Sequence, residues 1–409
     1  MYNLELYNNI RQWYYRGSLK SCNYSCSYCP FSKYKRCSAA ELKKDEENLT
    51  NFVSALLKKT AADMKKCAVQ IVPYGEALIH KYYWIALACL SKSPFIEAVG
   101  AQTNLSFDID EMADIYINNG GIARKLKLWC SFHPQIVTAE QFALQCRKLS
   151  GYGIEYCAGA AGVPLNIGYI RQLRKKLPGS IYFFINKLDG LKRNYTADEK
   201  KAFIEIDEYF ELELRHHKAN INRCTDILFV EADSSIRRCN ICKPLAADNN
   251  RPCIRKECSC YLSYCNQSLP ELFFFNPYPS FRIPHYPEAV FLDIDGIIIN
   301  RNSGNTVTDK TVQWLKRLSA HSRLYFITSL PYSHAMKKAG KAGKLFSGGV
   351  FANGEMCKIQ NKPDKVFPLT SVLAGKKEGI DYICSQMGYN TGEIAVFGNS
   401  AQAAEYIIY

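Results

Sequence analysis

Short apolar runs alternate with amphipathic helical patterns along the first 200 residues of the chain. The apolar runs predict strands at 67–74, 96–104, 126–132, 154–163 and 181–186. Helical periodicity lies before and between these runs, for example at 45–62 and 138–149. Because strands that alternate with helices form βαβ units, this part of the chain predicts a parallel sheet, either open or closed into a barrel.

Three further buried strands are predicted in the last part of the chain, with helical segments between them. They lie in AVFLDIDGIII, LYFITSLP and GEIAVFGNS, and polar residues follow the apolar run in each: Asp293 and Asp295, Thr328, and Asn399. Ligands of Rossmann-like α/β sheets bind at such strand ends, so this part predicts a ligand-binding α/β sheet.

A proline-rich stretch at 266–287 separates the two regions. It contains Pro270, Pro277, Pro279, Pro284 and Pro287 together with many aromatic residues. Proline fixes φ and lacks an amide donor, so we expect an extended linker there, held in place by its aromatics. A further helical pattern covers 197–214, after which periodicity fades and cysteines accumulate. The expected division is 1–200, a cysteine-rich module at 201–266, a linker at 267–286 and a tail at 287–409.

Composition places the chain among ordinary globular proteins. It has 409 residues, of which 47% are apolar and 22% charged, which predicts two or three domains and excludes wholesale disorder. The longest uncharged stretch, at 156–170, has only 15 residues, so no transmembrane helix and no membrane partner are expected. The N-terminus shows no apolar signal segment, and we expect a soluble cytoplasmic protein.

Cysteine is the unusual component. Eighteen cysteines without a secretory signal predict metal ligands or catalytic thiols rather than disulfides. The net charge of +14 is compatible with an anionic partner such as RNA. The densest basic segments, at 124–127 and 171–176, are typical of solvated helix faces as well as of nucleic-acid contacts.

The first cysteine cluster is SCNYSCSYCP at 21–30, where Cys22, Cys26 and Cys29 have the spacing C-x3-C-x2-C. It follows a strand-like aromatic segment and precedes the first helix. Three thiolates in one loop can hold three irons of a [4Fe–4S] cluster and leave the fourth iron open to a small molecule. The alternative is structural zinc, with Cys37 as a fourth ligand.

This cluster and four strand-end motifs resemble the radical SAM superfamily, and in particular one of its bacterial subfamilies. The superfamily signature is C-x3-C-x-aromatic-C, with Tyr28 in the aromatic position. The further motifs are YGEA at 74–77, QTN at 102–104, SFHP at 131–134 and GVPLN at 162–166. The resemblance covers about residues 12–266 and implies a partial (β/α)6 barrel of the TIM type.

The resemblance also implies a cofactor and the residues that bind it. S-adenosylmethionine would chelate the open iron, with the backbone at Gly75 and the carboxylate of Glu76 holding its amino group. Asn104, Ser131 and Asn166 would either line the same pocket or cap the following helices. The His133 side chain would lie at the pocket or in a turn. A reductant such as flavodoxin or ferredoxin would supply the electron that cleaves the cofactor to a 5′-deoxyadenosyl radical.

A second set of seven cysteines lies between 224 and 265. The run FVEADSSIRRC predicts a hairpin that turns at 233–235 and ends at Cys239. It resembles the auxiliary-cluster modules called SPASM or twitch domains, with Ser234 in the place of their glycine. The resemblance implies one auxiliary [4Fe–4S] cluster, and structural zinc is the alternative. The implied ligands are Cys224, Cys239, Cys253 and either Cys258 or Cys260.

The tail, at 287–409, resembles the HAD phosphohydrolases. The resemblance implies that Asp293 attacks phosphorus, Asp295 is the acid/base, Thr328 holds the phosphoryl group and Lys376 steadies its charge. Asp293, Asp295 and Asn399 would bind Mg²⁺. The chain departs from the family at Ile297, where threonine is usual, and at Asn399, where a second metal-binding acid is usual; no segment is long enough for a large cap domain. The alternative is a degenerate domain that binds phosphate or only packs.

These features together predict a radical SAM enzyme with one auxiliary cluster and a fused HAD-like domain. The expected substrate is a peptide or a small natural product, because the second cysteine set resembles the modules of peptide maturases. One alternative is an enzyme that modifies RNA. Another is a metal-dependent binding protein without turnover.

Overall fold

The computed structural model describes residues 2, 4–29, 36–218, 226–240, 256–262, 278–284, 286–299, 306–367, 375–390 and 394–398. The chain divides into two compact units, Met1–Pro284 and His285–Tyr409. Within the described residues, no helix combines the length and apolar character needed to cross a membrane.

The first unit is built on one large sheet. Its strands are β1 (Gln12–Gly17), β2 (Cys67–Ile71), β3 (Ile96–Thr103), β4 (Leu126–Phe132), β5 (Glu155–Ala161), β6 (Phe183–Asn186), β7 (His217–Lys218), β8 (Ile227–Glu231), β9 (Ile236–Arg237) and β10 (Glu257–Cys258). Its helices are α1 (Ala39–Asp63), α2 (Lys81–Lys92), α3 (Ile109–Asn118), α4 (Ala139–Gly151), α5 (Ile167–Lys176), α6 (Ala197–Ile204) and α7 (Phe210–Leu214).

The sheet order is β6-β5-β4-β3-β2-β1-β8-β9, and β7 pairs with β10 separately. Strands β1 to β6 and β8 run parallel, and β9 returns antiparallel to β8. The five strands predicted in the first 200 residues are therefore confirmed, as is the hairpin at 227–237. The mixed α/β class with parallel strands is confirmed as well.

Both faces of this sheet are buried, which is typical of parallel sheets with helical crossovers. Alternate residues such as Val69 and Leu128 pack towards the helices. The residues between them, such as Trp129 and Phe184, form a second apolar layer on the other side, which we call the inner face. Helices α1, α4 and α6 begin at capping boxes formed by Ser38, Thr138 and Thr196, which satisfy the free amides of the first turn.

Part of the predicted linker packs on the inner face. Ser280 Oγ accepts a hydrogen bond from Gln70 Nε2 at 3.1 Å and donates one to Gln12 Oε1. Phe281 lies against Gly100, where an added Cβ would come within 2.4 Å of the ring. Residues 278–284 therefore belong to the core of the first unit, while 267–277 lie outside the described residues.

Arg282 is the most polar group of this segment, and it is almost fully buried. Its guanidinium lies 4.5 Å from the centroid of the Trp129 ring and pairs with Glu213 Oε1 at 2.9 Å. A buried charge requires such partners, so this pair fixes the segment in place.

The helix predicted at 197–214 is interrupted between α6 and α7. Asp207 lies in the break, buried, and its carboxylate accepts hydrogen bonds from Ile185 N at 2.8 Å and Tyr182 Oη at 3.2 Å. The carboxylate thereby ties the break to β6 and to the residue before it, and a continuous helical pattern does not reveal that long-range contact.

The second unit contains β11 (Ala289–Leu292), α8 (Asp309–Ser319), β12 (Arg323–Ile327), α9 (Tyr332–Ala339), β13 (Phe346–Phe351), β14 (Met356–Ile359), β15 (Lys365–Val366), α10 (Gly375–Met387) and β16 (Ile394–Phe397). The sheet order is β15-β14-β13-β12-β11-β16, with β13, β12, β11 and β16 parallel. The three strands predicted from the sequence are β11, β12 and β16, which are adjacent in the sheet. Strands β14 and β15 are antiparallel additions at one edge.

Candidate functional site

The first cysteine cluster lies on a loop that follows the C-terminal end of β1. Cys26 is buried, whereas Cys22 and Cys29 are half-buried. The loop is held by hydrogen bonds from Cys29 N to Cys26 O at 3.1 Å and from Tyr24 N to Cys22 Sγ at 3.4 Å. Burial raises the pKa of the Cys26 thiol to about 11, and the charges of Cys22 and Cys29 act in the same direction. A metal that binds this loop therefore has to displace a proton from Cys26.

The donor chemistry of the loop fits an iron–sulfur cluster. Among the described residues, no three His, Cys, Asp or Glu side chains converge on a point where they could hold one metal ion. A [4Fe–4S] cluster makes a different demand, since each iron takes its own thiolate. Three thiols spread along one loop, close enough for their charges to influence each other, suit that arrangement.

The YGEA segment after β2 packs directly on the cysteine loop. A Cβ placed on Gly75 would lie 1.8 Å from the carbonyl oxygen of Ser21, so only glycine fits there. The next amide, Glu76 N, donates to the same carbonyl at 2.9 Å. The residue before Cys22 is thus fixed by backbone contact with the second strand end.

Glu76 extends this connection to the third strand end. Its buried carboxylate accepts hydrogen bonds from Thr103 Oγ1 at 2.8 Å and from Asn104 N at 2.6 Å. Burial raises the pKa of Glu76 to about 7, and the hydrogen bond from Asn104 N opposes the rise. The carboxylate of Glu76 therefore joins the loop after β2 to the end of β3. Its role towards a ligand amine stays a prediction.

Asn104 reaches back to the cysteine loop. Its Nδ2 donates to Asn23 Oδ1 at 3.1 Å and lies 3.9 Å from Cys22 Sγ. Asn23 in turn donates to Ser106 Oγ at 2.7 Å. The end of β3 therefore contacts the cysteine loop through side chains.

His133, after β4, contacts the loop from another side. Its Nδ1 is 3.0 Å from Cys26 Sγ and 2.8 Å from Tyr28 Oη, and its ring stacks on that of Tyr28 at an angle of 9°. Burial lowers the pKa of His133 to about 4, so the ring is neutral at pH 7. His133 also begins a turn, since its carbonyl oxygen accepts hydrogen bonds from Ile136 N and Val137 N, and its role towards a ligand stays a prediction.

Two other predicted residues lie further from these contacts. Ser131 is half-buried on the inner face of β4, and Asn166 is buried directly before α5. In the part of the chain that the structure describes, neither side chain hydrogen-bonds to the cysteine loop.

Asp45 is a supporting residue that the sequence analysis missed. It is buried on α1 and accepts hydrogen bonds from Ser18 Oγ at 2.6 Å, Tyr82 Oη at 2.9 Å and Tyr83 Oη at 2.6 Å. It thereby connects Ser18, the first residue after β1, to helices α1 and α2. The available signal was its position four residues before Leu49, on the apolar side of α1.

The described part of the second cysteine set lies near the end of β1. Ser234 has φ of 70° in the turn between β8 and β9, the conformation that glycine favours. Cys239 precedes Asn240, whose Nδ2 is 4.0 Å from Cys260 Sγ and whose Oδ1 accepts a hydrogen bond from Arg16. Cys258 accepts a hydrogen bond from Cys260 N at 3.4 Å. The predicted ligands Cys224 and Cys253 lie outside the described residues.

The strand ends of the second unit also bring predicted residues together. Lys376 Nζ, on α10, is 3.8 Å from Asp293 Oδ2, directly after β11. Burial raises the pKa of Asp293, and the charge of Lys376 opposes that rise. Thr328, after β12, accepts a hydrogen bond from Leu330 N at 3.2 Å.

Asp295 has a partner that the sequence analysis did not anticipate. Lys338 Nζ, on α9, is 2.5 Å from Asp295 Oδ1. Each of the two carboxylates thus faces a lysine. Asn399 lies outside the described residues.

Three of the seven basic residues in the segments 124–127 and 171–176 form ion pairs. Arg171 pairs with Glu205 at 2.6 Å, Lys176 with Glu140 at 2.8 Å, and Lys127 with Glu155. These pairs support the interpretation of both segments as solvated surface.

No protein-family profile matches the chain, and no curated protein matches it. Solved structures similar to it include native anSMEcpe with bound AdoMet, at 15% identity over 56% of this chain and 74% of that one, with a TM-score of 0.39. BtrN in complex with AdoMet and 2-DOIA is 15% identical over 56% and 73%, with a TM-score of 0.25. A HAD subclass IIB sugar phosphatase is 14% identical over 29% of this chain and 83% of that one, with a TM-score of 0.23. All three TM-scores lie below 0.5, so the function proposed below depends on the chain's own residues.

Proposed function

We propose that the first unit is a radical SAM enzyme whose substrate is a peptide or a small natural product. The observation that carries this proposal is the attachment of the cysteine loop to three other strand ends. Gly75, Asn104 and His133, from the loops after β2, β3 and β4, all contact it. Parallel strands place these ends at one edge of the sheet, where α/β folds build their sites.

Cys22, Cys26 and Cys29 hold the cluster in this proposal. When bound there with S-adenosylmethionine, a [4Fe–4S] cluster supplies one-electron cleavage of that cofactor and so a 5′-deoxyadenosyl radical. The backbone beside Gly75 and the carboxylate of Glu76 hold the amino group of the cofactor, whose positive charge favours the ionised form of Glu76. The segment 278–284 covers the inner face over Trp129 and excludes water there, and the half-buried Arg16, at the end of β1, orients the substrate.

The second cysteine set supports the substrate class. Arg16, on the inner face of β1, donates from Nη1 to Val72 O at 3.1 Å and contacts Asn240 beside Cys239. An auxiliary cluster at Cys239 and Cys258 or Cys260, completed by Cys224 and Cys253, would thus adjoin the inner face. That placement suits a cluster that serves the same substrate.

The second unit binds phosphate groups in this proposal, either as a phosphatase or as a phosphate-binding domain. Asp293, Thr328 and Lys376 supply the nucleophile, the hydroxyl and the cation that a phosphoryl group requires. Lys338 neutralises Asp295, and Asn399 replaces a carboxylate, so we expect weak Mg²⁺ binding.

Iron content and electron paramagnetic resonance of the reduced protein test the proposal for the first unit. Wild type should change its signal when S-adenosylmethionine is added. Cys26→Ala should lose about four irons per chain and the cofactor response. Cys146→Ala, a buried cysteine on α4 away from the loop, is the matched control and should keep both. If Cys26→Ala keeps the iron content and the response of wild type, the proposal is wrong.

A further inference from the structure

A cavity of about 650 Å³ opens in the second unit beside the predicted phosphate site. Residues of α8, of α9 and of the segments next to these helices form its walls. Its lining comprises Thr306, Val307, Asp309, Val312, Leu330, His334, Lys337, Lys338, Ala339, Gly340 and Lys341. This volume is in the range of sites for small organic ligands and is far larger than one phosphate group requires.

The lining of the cavity carries a net positive charge. Between 332 and 345 the chain carries five basic residues and no acidic one. Four of the five, His334, Lys337, Lys338 and Lys341, line the cavity, and the only acidic residue among its described lining is Asp309. A cavity with this balance favours an anion.

Two contacts join the cavity to the predicted phosphate site. Lys338, in its wall, lies 2.5 Å from Asp295 Oδ1. Leu330, also in its wall, donates its amide to Thr328 Oγ1 at 3.2 Å. A ligand with its phosphate near Thr328 and Lys376 can therefore extend into the cavity.

We propose that this cavity binds a second anionic group of the ligand whose phosphate lies at Asp293, Thr328 and Lys376. The ligand class is a phosphate ester that carries a further phosphate or carboxylate. Lys337 and Lys341 bind the further group, since ammonium groups form charge-assisted hydrogen bonds with phosphate and carboxylate oxygens. The inference rests on the proposed phosphate role of the second unit and names the ligand of that site more closely.

Titration calorimetry on the full chain with inorganic phosphate and with pyrophosphate tests this inference. Pyrophosphate supplies a second phosphoryl group without an organic part, and no divalent cation is added. Wild type should bind pyrophosphate at least roughly tenfold more tightly than phosphate, which corresponds to about 1.4 kcal/mol, because the second phosphoryl group accepts charge-assisted hydrogen bonds from the cavity lysines.

The variant Lys337→Gln/Lys341→Gln should lose that preference and keep its affinity for phosphate. Lys316→Gln/Lys344→Gln removes the same charge outside the cavity lining and should keep the preference. If the double variant does not fold, as judged by circular dichroism, Lys341→Gln alone takes its place and should lose part of the preference.

Equal affinity of wild type for the two anions would overturn the inference and leave the phosphate role standing. So would a preference that survives in Lys337→Gln/Lys341→Gln, or one that both double variants lose equally. Binding of an RNA oligonucleotide without binding of pyrophosphate would also contradict it. Failure of wild type to bind either anion, without Mg²⁺ and again with Mg²⁺ added, would contradict the phosphate role itself.

Discussion

Gly75 is where the cysteine loop and the second strand end come into backbone contact. The alanine variant would place a methyl group 1.8 Å from the Ser21 carbonyl oxygen, and neither backbone can move alone. We expect Gly75→Ala to lower the free energy of unfolding by about 1–3 kcal/mol, the range for overpacking, and to lower iron content. Thermal unfolding and iron analysis check this.

Gly168→Ala is the matched control. Gly168 is exposed near the start of α5, and an added Cβ meets nothing within 4 Å. Its substitution should be neutral or stabilising by up to about 1 kcal/mol. If the two variants behave alike, the contact between Gly75 and Ser21 does not hold the loop.

His133 should set the reduction potential of the proposed cluster. Once Cys26 binds iron its sulfur has no proton, so His133 can hydrogen-bond it only as a donor from Nδ1. Such a bond stabilises the more negative, reduced cluster and raises its potential. A redox titration followed by electron paramagnetic resonance should therefore give a lower potential for His133→Phe. An unchanged potential in a variant with full iron content would contradict this role.

At the residue scale, the spacing of Cys22, Cys26 and Cys29 indicated the cysteine loop, and the resemblance added the YGEA motif, because each is contained in a short stretch of sequence. It did not predict Asp45 or Lys338. Their partners lie tens of residues away along the chain, at Ser18, Tyr82 and Asp295, and such contacts leave no local pattern.

The β8–β9 hairpin offers a test at the scale of one element. Ser234 has φ of 70°, which costs a non-glycine residue about 1–2 kcal/mol, whereas glycine loses about 0.5–1 kcal/mol through its greater freedom when unfolded. Ser234→Gly should therefore stabilise the fold by roughly 0.5–1 kcal/mol. Ser235→Gly, one residue later and without positive φ, should destabilise it by a similar amount, and chemical denaturation distinguishes the two.

Asp207, in the break between α6 and α7, should make the free energy of unfolding depend on pH. Burial raises the pKa of Asp207 to about 6, so the folded chain retains a proton there that the unfolded chain releases. The unfolding free energy should then fall as pH rises from about 4 to about 6 and level off above, by about 3 kcal/mol in total, since each pKa unit corresponds to 1.36 kcal/mol.

Asp207→Asn removes this titration. The quantity to compare is therefore the slope of the unfolding free energy against pH. Denaturation of wild type and variant at pH 4, 5, 6 and 7 should show a flatter slope for the variant. Equal slopes would show that Asp207 keeps an ordinary pKa in the folded chain.

At the element scale, the predicted strands of both units are present. A strand that is buried on both faces of a sheet requires a short continuous run of apolar residues, and such a run is visible in the sequence. The pairing of β8 with β1 was not predicted. It joins residues more than two hundred positions apart, and the pattern within each strand is compatible with several neighbours.

At the scale of the whole molecule, proline content predicted a linker, yet residues 278–284 pack into the first unit. Proline and aromatic residues exclude a regular element there, but they do not exclude burial. Phe281 against Gly100 and Arg282 over Trp129 depend on the shape of the inner face, which emerges only when the sheet has formed.

The central claim is that Cys22, Cys26 and Cys29 support cleavage of S-adenosylmethionine. The most direct test is the amount of 5′-deoxyadenosine formed by anaerobically reconstituted protein with the cofactor and dithionite. Wild type and Cys146→Ala should form it in an amount comparable to the protein, and Cys26→Ala should form none above background. Absence of 5′-deoxyadenosine from wild type that carries its full iron, or equal formation by Cys26→Ala, would contradict the account.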